Sequence, residues 1–564
     1  MANTTPRSIK GAAAQIAAKL GSRRLRRAVR HATAARFRRT SAGRLAAREG
    51  FDATLVGGQW VAVRTQGAPT AAMAFAHNYQ IVRDVLEAAG VPLALVSQHP
   101  MRRHVVAIRG TDWAKALAAL AQGADTAALY ATLPAQSGGR SRPAKATFTG
   151  SEQFACGAAS LLELPIYEVG RQTLTTRVHA GDYACMLQRW DESADGGVWN
   201  APASNETATF VAGDAFTSVR EATDPFGTRE VRFDAAPEPY QGVVNFPIDL
   251  VYLWVDGNSP QWQASRKEHA ELNAPASDGG DAWLFRDRDE LLYSMRSVEQ
   301  FAPWVHRIHL VTADQVPRWL NLDSDRVTLH SHSDMFADPG ALPTFNSHAI
   351  GSQLHRIPGL SEHYVIMNDD IFFGAPVEPE EFFTPAGLPR IMRSALHAPL
   401  ADGPALNTIE HARKNSANLM KEKFGVQPTQ LFAHTPIPQL KSFAQELEHE
   451  FPEVFASTAH SKFRSDSDYE INAWLHLNAL ELSGRAARAQ IRFRYFYLSS
   501  AKARKSLERA LRSSRASVLC LNDGPPQDNV DYDEWLTQQL ADAYPVTSSV
   551  ELPPEDWRRD NARG

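Results

Sequence analysis

Hydrophobic runs of strand length alternate with amphipathic stretches of helix length through the second half of the chain. Ile248–Val255 is apolar apart from Asp249, which is typical of a strand buried on both faces of a sheet. Leu291, Met295 and Val298 fall on one face of a helix predicted over 290–301. Further strands are predicted over 307–312, 326–330, 364–367 and 518–521, and further helices over 348–357, 407–424, 442–450 and 468–482. This alternation predicts an α/β fold with a largely parallel sheet flanked by helices.

The first part of the chain has a different pattern. Thr54–Val63 is predicted to form a β-hairpin with two glycines in its turn, followed by a helix around 81–89 and a strand over 105–108. Short strands then alternate with Gly and Pro turns as far as a linker-like segment at 235–242. We therefore predict an accessory α+β domain over 51–240, with no group of catalytic residues, and a second domain over 241–564.

Positive charge is concentrated at the start of the chain. Residues 1–50 contain thirteen Lys or Arg and one acidic residue, Glu49, although the formal net charge of the whole chain is −4. We interpret residues 1–50 as a basic N-terminal arm, which is either a solvated tail or a segment that adheres to an anionic membrane surface. The balanced total charge argues against a protein that coats nucleic acid.

Cysteine content and hydropathy are used to predict the cellular compartment of the protein. The chain has three cysteines, an odd number at wide spacing, so neither a disulfide framework nor a zinc site is expected. No stretch approaches 18 consecutive apolar residues, and the first residues lack the apolar core of a secretory signal. These features predict a cytoplasmic protein, with peripheral contact at the inner face of the cell membrane if the arm binds lipid.

Acidic and amide side chains follow two of the predicted strands. Asn368, Asp369 and Asp370 follow one strand and Asp256 follows another, and the carboxyl ends of strands are where open α/β sheets bind ligands. Two adjacent carboxylates suit Mg²⁺ or Mn²⁺ that also contacts substrate phosphates. A strand-end turn with Asn and Asp as capping residues explains the same pattern, and it is the more common explanation for Asp256.

Three further places carry polar residues of catalytic type. Asn346, Ser347 and His348 precede a predicted helix, where Ser347 suits the N-cap and the helix N-terminus suits phosphate, although capping alone explains them equally well. His434 lies in a Pro-rich loop and suits a general base, but most lone histidines are not catalytic. Arg464 suits a phosphate clamp, whereas a surface ion pair is the more common role.

Several segments between 248 and 551 resemble the Stealth family, and their order matches the four blocks of that family. The segments that carry the resemblance are Asp249–Gly257, Asp289–Ser297, Pro303–Val305, Leu342–Ile350, His355–Leu360, Asn368–Gly374, His434–Pro436, Phe463–Ser465 and Leu521–Asp523. The resemblance implies a fold similar to nucleotide-sugar transferases and a catalytic phosphotransferase domain over 241–564.

The resemblance also implies a reaction. Members of the family transfer a hexose 1-phosphate from a nucleotide sugar to a hydroxyl, here of a growing polysaccharide, and release a nucleoside monophosphate. His434 matches the family's general base, while Arg464 and a Mg²⁺ or Mn²⁺ ion at Asp370 and Asp369 match the groups that stabilise phosphoryl charge. The residues that would shape the donor pocket are Asp256, Asn346, Ser347, His348, Asn368 and Asp369.

Two positions depart from the family pattern, and two other functions remain open. Gly351 stands where many relatives have Glu, so a carboxylate expected near the metal is absent, and Arg288 stands in place of Asn. A metal-dependent glycosyltransferase that attacks the anomeric carbon would use the same acidic pair. A non-catalytic polysaccharide-binding protein would bind the donor without turnover.

Overall fold

The computed structural model describes two compact units, of which the first holds the described residues up to Pro237 and the second holds those from Glu238 onward. The described residues are 33–56, 59–65, 70–97, 99–132, 147–149, 159–164, 168–169, 178–179, 183–238, 242–273, 285, 287–399, 406–511, 516–523 and 532–559. Residues 1–32 of the predicted basic arm lie outside the described residues. They contain most of the Lys and Arg residues for which membrane contact was predicted. Phe37, Ala42 and Leu45 are buried against strand Gln59–Arg64, so this stretch belongs to the core of the first unit.

The first unit combines antiparallel and parallel pairing with helices that cover its larger sheet. The predicted hairpin is confirmed, because Val56 pairs with Gln59 and leaves a two-residue connection. In the six-stranded sheet, Val105–Arg109 lies parallel to Cys185–Glu192, and two helices pack against these strands. The principal helices and strands are Ser41–Leu45, Phe51–Val56, Gln59–Arg64, Ala71–Ala88, Leu93–Leu95, Val105–Arg109, Trp113–Ala127, Tyr130–Ala131, Thr147–Phe148, Leu161–Leu164, Glu168–Val169, Val178–His179, Cys185–Glu192, Val198–Asn200, Phe210–Ala212, Val219–Thr223 and Arg229–Phe233.

A five-stranded sheet forms the centre of the second unit. Its strands, in spatial order, are Val327–Ser331, Ile308–Thr312, Ile248–Leu253, His363–Asn368 and Ile437–Leu440. The first four are parallel and the last is antiparallel, so the predicted largely parallel sheet is confirmed. Ile248–Leu253 lies in the middle and is buried along nearly its whole length, as its continuous apolar run requires.

Helices and smaller sheets surround this central sheet. The helices are Pro260–Asn273, Glu290–Phe301, Ser347–Gly351, Thr408–Phe424, Lys441–Glu450, Pro452–His460, Leu477–Leu482, Ala501–Leu511 and Asp533–Ala543, with a π-helical turn at Ile471–His476. Two three-stranded sheets contain Ile371–Phe373, Phe493–Tyr497 and Val518–Asn522 in one, and Arg390–His397, Gln430–Phe432 and Ala487–Ala489 in the other. None of the described helices combines the length and apolar character needed to cross a membrane.

One predicted helix is wrong in its extent. The sequence predicts a single helix over 348–357, but the structure has a short helix at Ser347–Gly351 and a separate 3₁₀ turn at Leu354–Arg356. Between them Gln353 has φ of −111°, outside the helical range. The hydrophobic spacing is satisfied by two short pieces because both bury apolar residues in the same core.

Buried histidines make the stability of this unit depend on pH. Burial lowers the pKa of His476 from 6.5 to about 3, so between those values the unfolded chain binds a proton that the folded chain does not. His476 therefore lowers the free energy of unfolding as the pH falls below about 6.5. We expect the His476→Gln variant, whose amide can still accept from the Leu440 N–H, to lose this contribution.

The measurement is chemical unfolding of both proteins at intervals from pH 7.5 to pH 4. The difference between wild type and variant isolates His476 from the buried carboxyl groups, whose raised pKa values act with the opposite sign. A difference that is constant over this range would show that the imidazole binds its proton as readily in the folded chain as in the unfolded chain.

Candidate active site

A cleft of about 380 Å³ opens at the carboxyl ends of the central parallel strands. Strand Ile248–Leu253 runs into it at Trp254, and the neighbouring strand His363–Asn368 runs into it at the acidic pair. Of the polar residues predicted at strand ends, Asn368, Asp369 and Asp370 therefore line the cleft, whereas Asp256 does not. The predicted site residues that line this one cleft are Ser347, Asn368, Asp369, Asp370, His434 and Arg464.

His434 lies in the connection that leads to the edge strand Ile437–Leu440. Because that strand pairs with His363–Asn368, the imidazole is placed beside Asn368, whose Nδ2 is 3.3 Å from Nε2 of His434. An amide N–H donates, so this contact selects the tautomer with the lone pair on Nε2. Asp370 Oδ1 lies 4.0 Å from the same nitrogen, and the imidazole is 40% exposed to the cleft. His434 is thus oriented as a base would be.

Asp370 is held from the other side by the C-terminal strand Val518–Asn522. Its backbone oxygen accepts from Leu521 at 2.8 Å, and Sγ of Cys520 donates to its Oδ2 at 3.5 Å. Its Oδ1 is buried and has no hydrogen-bond partner within the described part of the chain. A buried carboxylate oxygen without a donor indicates that something else binds there.

Carboxyl groups crowd the floor of the cleft. Burial raises the pKa of Asp369 well above its ordinary value, and the charges of Asp370, Glu290 and Asp287 raise it further. Burial also raises the pKa of Asp287 to about 7, reinforced by the charge of Glu290. A cation among these groups would relieve their mutual repulsion.

The donor set at this floor fits a divalent cation. The carboxylates of Asp369 and Asp370 are the oxygen ligands that Mg²⁺ and Mn²⁺ prefer. Ligand atoms of Asp370, His434 and Cys520 also lie within 4.8 Å of one another, which adds nitrogen and sulfur to the available donors. Cys520 is a residue that the sequence reading missed, because its neighbours are distant in the chain.

Arg464 lines the cleft beside Ser347. It donates from Nη2 to the Ser347 hydroxyl at 2.9 Å, and it forms no ion pair with any carboxylate among the described residues. Within the described residues the alternative of a surface ion pair has no partner carboxylate, and the phosphate clamp stays a prediction. A guanidinium without a carboxylate partner beside a hydroxyl suits an anionic substrate.

Asn346 holds the loop that carries Arg464 and does not line the cleft. It is fully buried, donates to Asp468 Oδ2 at 2.7 Å and to the Phe463 carbonyl at 3.2 Å, and accepts from the His348 N–H. Asn346, rather than Ser347, is therefore the N-cap of the short helix, which leaves the Ser347 hydroxyl for Arg464. Asn346 was predicted to shape the donor pocket, and its observed contacts are with the protein.

His348 and Asp256 are also displaced from the cleft. Nδ1 of His348 lies 3.3 Å from Oδ2 of the buried Asp468, so its contact is with the scaffold of the loop. Asp256 lines a neighbouring cavity of about 510 Å³ together with Asp287 and Arg318. Arg288 lines both cavities and separates Asp256 from the acidic pair.

Arg288 is the centre of a buried ion-pair network that the sequence could not reveal. Its side chain is only 5% exposed and contacts Glu290 at 3.1 Å, Asp523 at 2.7 Å and Asp533 at 2.6 Å. One guanidinium thus balances three carboxylates at the edge of the cleft. Asn at this position, as the family pattern has it, would remove the guanidinium that joins these three carboxylates.

Gly351 departs from the family pattern for a steric reason that the structure makes visible. A Cβ at this position would lie closer to Nδ2 of Asn472 than real Cβ atoms approach other atoms. Asn472 therefore occupies the space in which the side chain of a family Glu would begin. The position is filled by a neutral amide, and no carboxylate reaches the cleft from it.

We expect Gly351→Glu to lower the melting temperature, because Asn472 must move and a charge enters a buried position. The double variant Gly351→Glu, Asn472→Ala should recover most of that loss, since the smaller side chain makes room. Thermal unfolding of the wild type, both single variants and the double variant measures the coupling between the two positions. Additive losses would show that Asn472 is not the obstacle.

Comparison with known proteins identifies the family of this chain. The chain matches three conserved regions of Stealth proteins: conserved region 1 over residues 246–268, region 2 over 284–391 and region 3 over 433–477. An exopolysaccharide phosphotransferase of Streptomyces coelicolor is 36% identical over 495 residues, covering 84% of this chain and 82% of its own. Exopolysaccharide phosphotransferase CpsY of Mycobacterium tuberculosis is 37% identical over 344 residues, covering 60% and 64%.

Solved structures add little to this comparison. The galactosyltransferase LgtC is 12% identical, and the match covers 54% of this chain and 98% of that chain with a TM-score of 0.28. That score is too low to argue from, so the fold rests on the strand order described above. The conserved regions and the extent of the sequence identity establish that this chain is a transferase enzyme of the Stealth family, together with the exopolysaccharide phosphotransferases of Streptomyces and Mycobacterium.

Proposed function

We propose that the protein transfers a hexose 1-phosphate from a nucleotide sugar to a hydroxyl of a growing polysaccharide, with release of a nucleoside monophosphate. The observation that carries the proposal is the meeting of His434, Arg464 and the pair Asp369–Asp370 around one cleft. A base, a guanidinium and an acidic floor are the groups that transfer of a phosphoryl centre between two oxygens requires.

In the proposed reaction, an acceptor hydroxyl attacks the phosphorus that carries the sugar. The bond from that phosphorus to the oxygen bridging the two phosphates breaks, and its electron pair leaves with the nucleoside monophosphate. The proton of the hydroxyl passes to Nε2 of His434, the nitrogen that accepts from Asn368. The carboxylate of Asp370, 4.0 Å away, stabilises the imidazolium that forms.

Negative charge on the diphosphate is balanced by two sets of groups that line the cleft. Arg464 and the Ser347 hydroxyl, joined at 2.9 Å, offer adjacent donors to phosphate oxygens. When bound by Asp369 and Asp370, Mg²⁺ or Mn²⁺ would supply further positive charge to the phosphate oxygens.

Aromatic side chains form the rest of the wall. Trp262 packs against Phe285 and Phe345, with ring centroids 5.0 Å and 5.7 Å apart, and Trp254 lies at the adjoining strand end. Flat apolar faces next to a phosphate site suit the base of a nucleotide. We propose that this wall receives the nucleoside of the donor.

The test is incubation of the purified chain with a panel of UDP- and GDP-sugars, a polysaccharide acceptor and Mg²⁺ or Mn²⁺. Release of UMP or GMP with a sugar-phosphate link in the product would support phosphotransfer. Release of UDP or GDP would instead support attack on the anomeric carbon. Donor binding without turnover, unaffected by EDTA, would support a non-catalytic binding protein.

A further inference from the structure

A second group of metal-ligating side chains lies within the first unit and takes no part in the cleft. His104 directly precedes strand Val105–Arg109, Asp224 begins the turn of the hairpin formed by Val219–Thr223 and Arg229–Phe233, and Glu230 lies in the second hairpin strand. One ligand atom from each of the three side chains lies within 4.8 Å of the others. The three come from distant parts of the chain and meet in one place.

The polar atoms of this group are buried without partners. His104 is 2% exposed, and neither of its ring nitrogens has a hydrogen-bond partner in the described parts of the chain. Asp224 is 8% exposed, and its Oδ2 likewise lacks a partner among the residues described. Each such atom destabilises the folded chain if nothing binds it. An imidazole and a carboxylate left bare at the same point indicate a ligand that contacts both.

The remaining atoms of these side chains are fixed in place. Asp224 Oδ1 accepts from the Phe226 and Thr228 amides at 2.9 Å and 2.7 Å, which turns Oδ2 inward. The His104 ring stacks on Tyr79 with centroids 5.0 Å apart and an angle of 14° between the planes. The donors are therefore oriented by surrounding groups, as the ligands of metal sites are.

Charge also favours a cation at this point. Arg232 donates from Nε to Oε2 of Glu230 at 2.8 Å and so offsets one of the two carboxylates. The Asp224 carboxylate and the neutral imidazole remain, and a carboxylate can bind a metal through one oxygen while its other oxygen accepts from a guanidinium. Burial lowers the pKa of His104 to about 3, which keeps its nitrogens in the neutral form that binds metals.

We propose that His104, Asp224 and Glu230 bind a divalent transition-metal ion, of which Zn²⁺ is the best match. One imidazole nitrogen with two carboxylate oxygens is a donor set that suits Zn²⁺, whereas Mg²⁺ and Ca²⁺ prefer oxygen ligands alone. The ion ties the hairpin of Val219–Phe233 to the start of strand Val105–Arg109 in the six-stranded sheet. Its role is structural, and it is independent of the reaction in the cleft.

The test uses the full chain with two cleft ligands removed by Asp370→Asn and His434→Ala, and the effect of adding Asp224→Asn then reports on the site in the first unit. After treatment with EDTA, the protein is incubated with micromolar Zn²⁺, passed through gel filtration and analysed for metal. We expect one Zn²⁺ per chain, and none when Asp224→Asn is added. Asn keeps the acceptor for the two turn amides, so the hairpin should still fold, as circular dichroism would show.

A matched control and a second readout keep the result unambiguous. Asp195→Asn changes an exposed aspartate of the same unit and should leave the zinc content unchanged. Co²⁺ in place of Zn²⁺ should give visible absorption without a thiolate charge-transfer band, whereas Co²⁺ in the cleft beside Cys520 would show that band. Equal zinc content with and without Asp224→Asn, or no zinc in the starting protein, would overturn the proposal.

Discussion

Replacing His434 with alanine should lower turnover at least about a hundredfold, the usual cost of losing a general base. Nε2 of this imidazole accepts from Asn368 and faces Asp370, and the half-exposed ring opens on the cleft where an acceptor hydroxyl would enter. The measurement is the rate of nucleoside monophosphate release at saturating donor.

The matched control for this variant is His460→Ala. His460 is exposed to a similar degree, 49%, and is paired with the surface residue Asp338, so its loss should leave turnover near the wild-type rate. Donor affinity should change little in His434→Ala, because the base acts on the acceptor. If His434→Ala retains the wild-type rate, another group accepts the proton of the acceptor hydroxyl.

Asp370→Asn should reduce turnover by about 10²–10³-fold and remove the response to added Mg²⁺ or Mn²⁺. Asn matches the size of Asp, yet it places an uncharged amide where a buried carboxylate oxygen has no protein partner among the described residues. The loss of charge should therefore weaken binding of the cation and remove the charge that stabilises the imidazolium 4.0 Å away. Titration with Mn²⁺ measures binding directly, and the variant should bind one ion fewer per chain than the wild type.

The control is Asp466→Asn, which changes an aspartate that is 70% exposed in the segment next to Arg464. It should keep both the rate and the metal response. If Asp370→Asn binds Mn²⁺ as the wild type does, the cation is held elsewhere. Unchanged binding together with lost turnover would assign Asp370 to the imidazole alone.

The central sheet was accessible from sequence because its strands are continuous apolar runs. Ile248–Leu253 is buried on both faces, and a run of that kind has few alternative structures. The short strands Gln430–Phe432 and Ile437–Leu440 were not predicted. They have three and four residues, one of them contains Pro438, and pairing with distant strands stabilises them where local pattern gives no signal.

Site residues could be predicted from the sequence where a polar residue directly follows a predicted strand. They could not be predicted where the role of a residue depends on a contact with a distant part of the chain. Asp369 and Asp370 follow a strong strand, so their place at the sheet edge could be expected. Arg288 contacts carboxylates 235 and 245 residues away, and the local sequence pattern does not predict these ion pairs. Asn346 has the composition of a substrate ligand, and only the structure shows that its amide is used by Asp468 and the Phe463 carbonyl.

The pairing of strand Val518–Asn522 with Ile371–Phe373 joins the acidic pair to a segment made about 150 residues later. On the ribosome, the five-stranded sheet is complete once Leu440 has emerged, but the floor of the cleft is not. Asp523 and Asp533, which contact Arg288, and Cys520, which donates to Asp370, arrive only with residues 520–533. A chain whose synthesis stops between Leu440 and Cys520 would contain the five-stranded sheet but would lack part of the cleft floor. Activity therefore requires translation through residues 520–533.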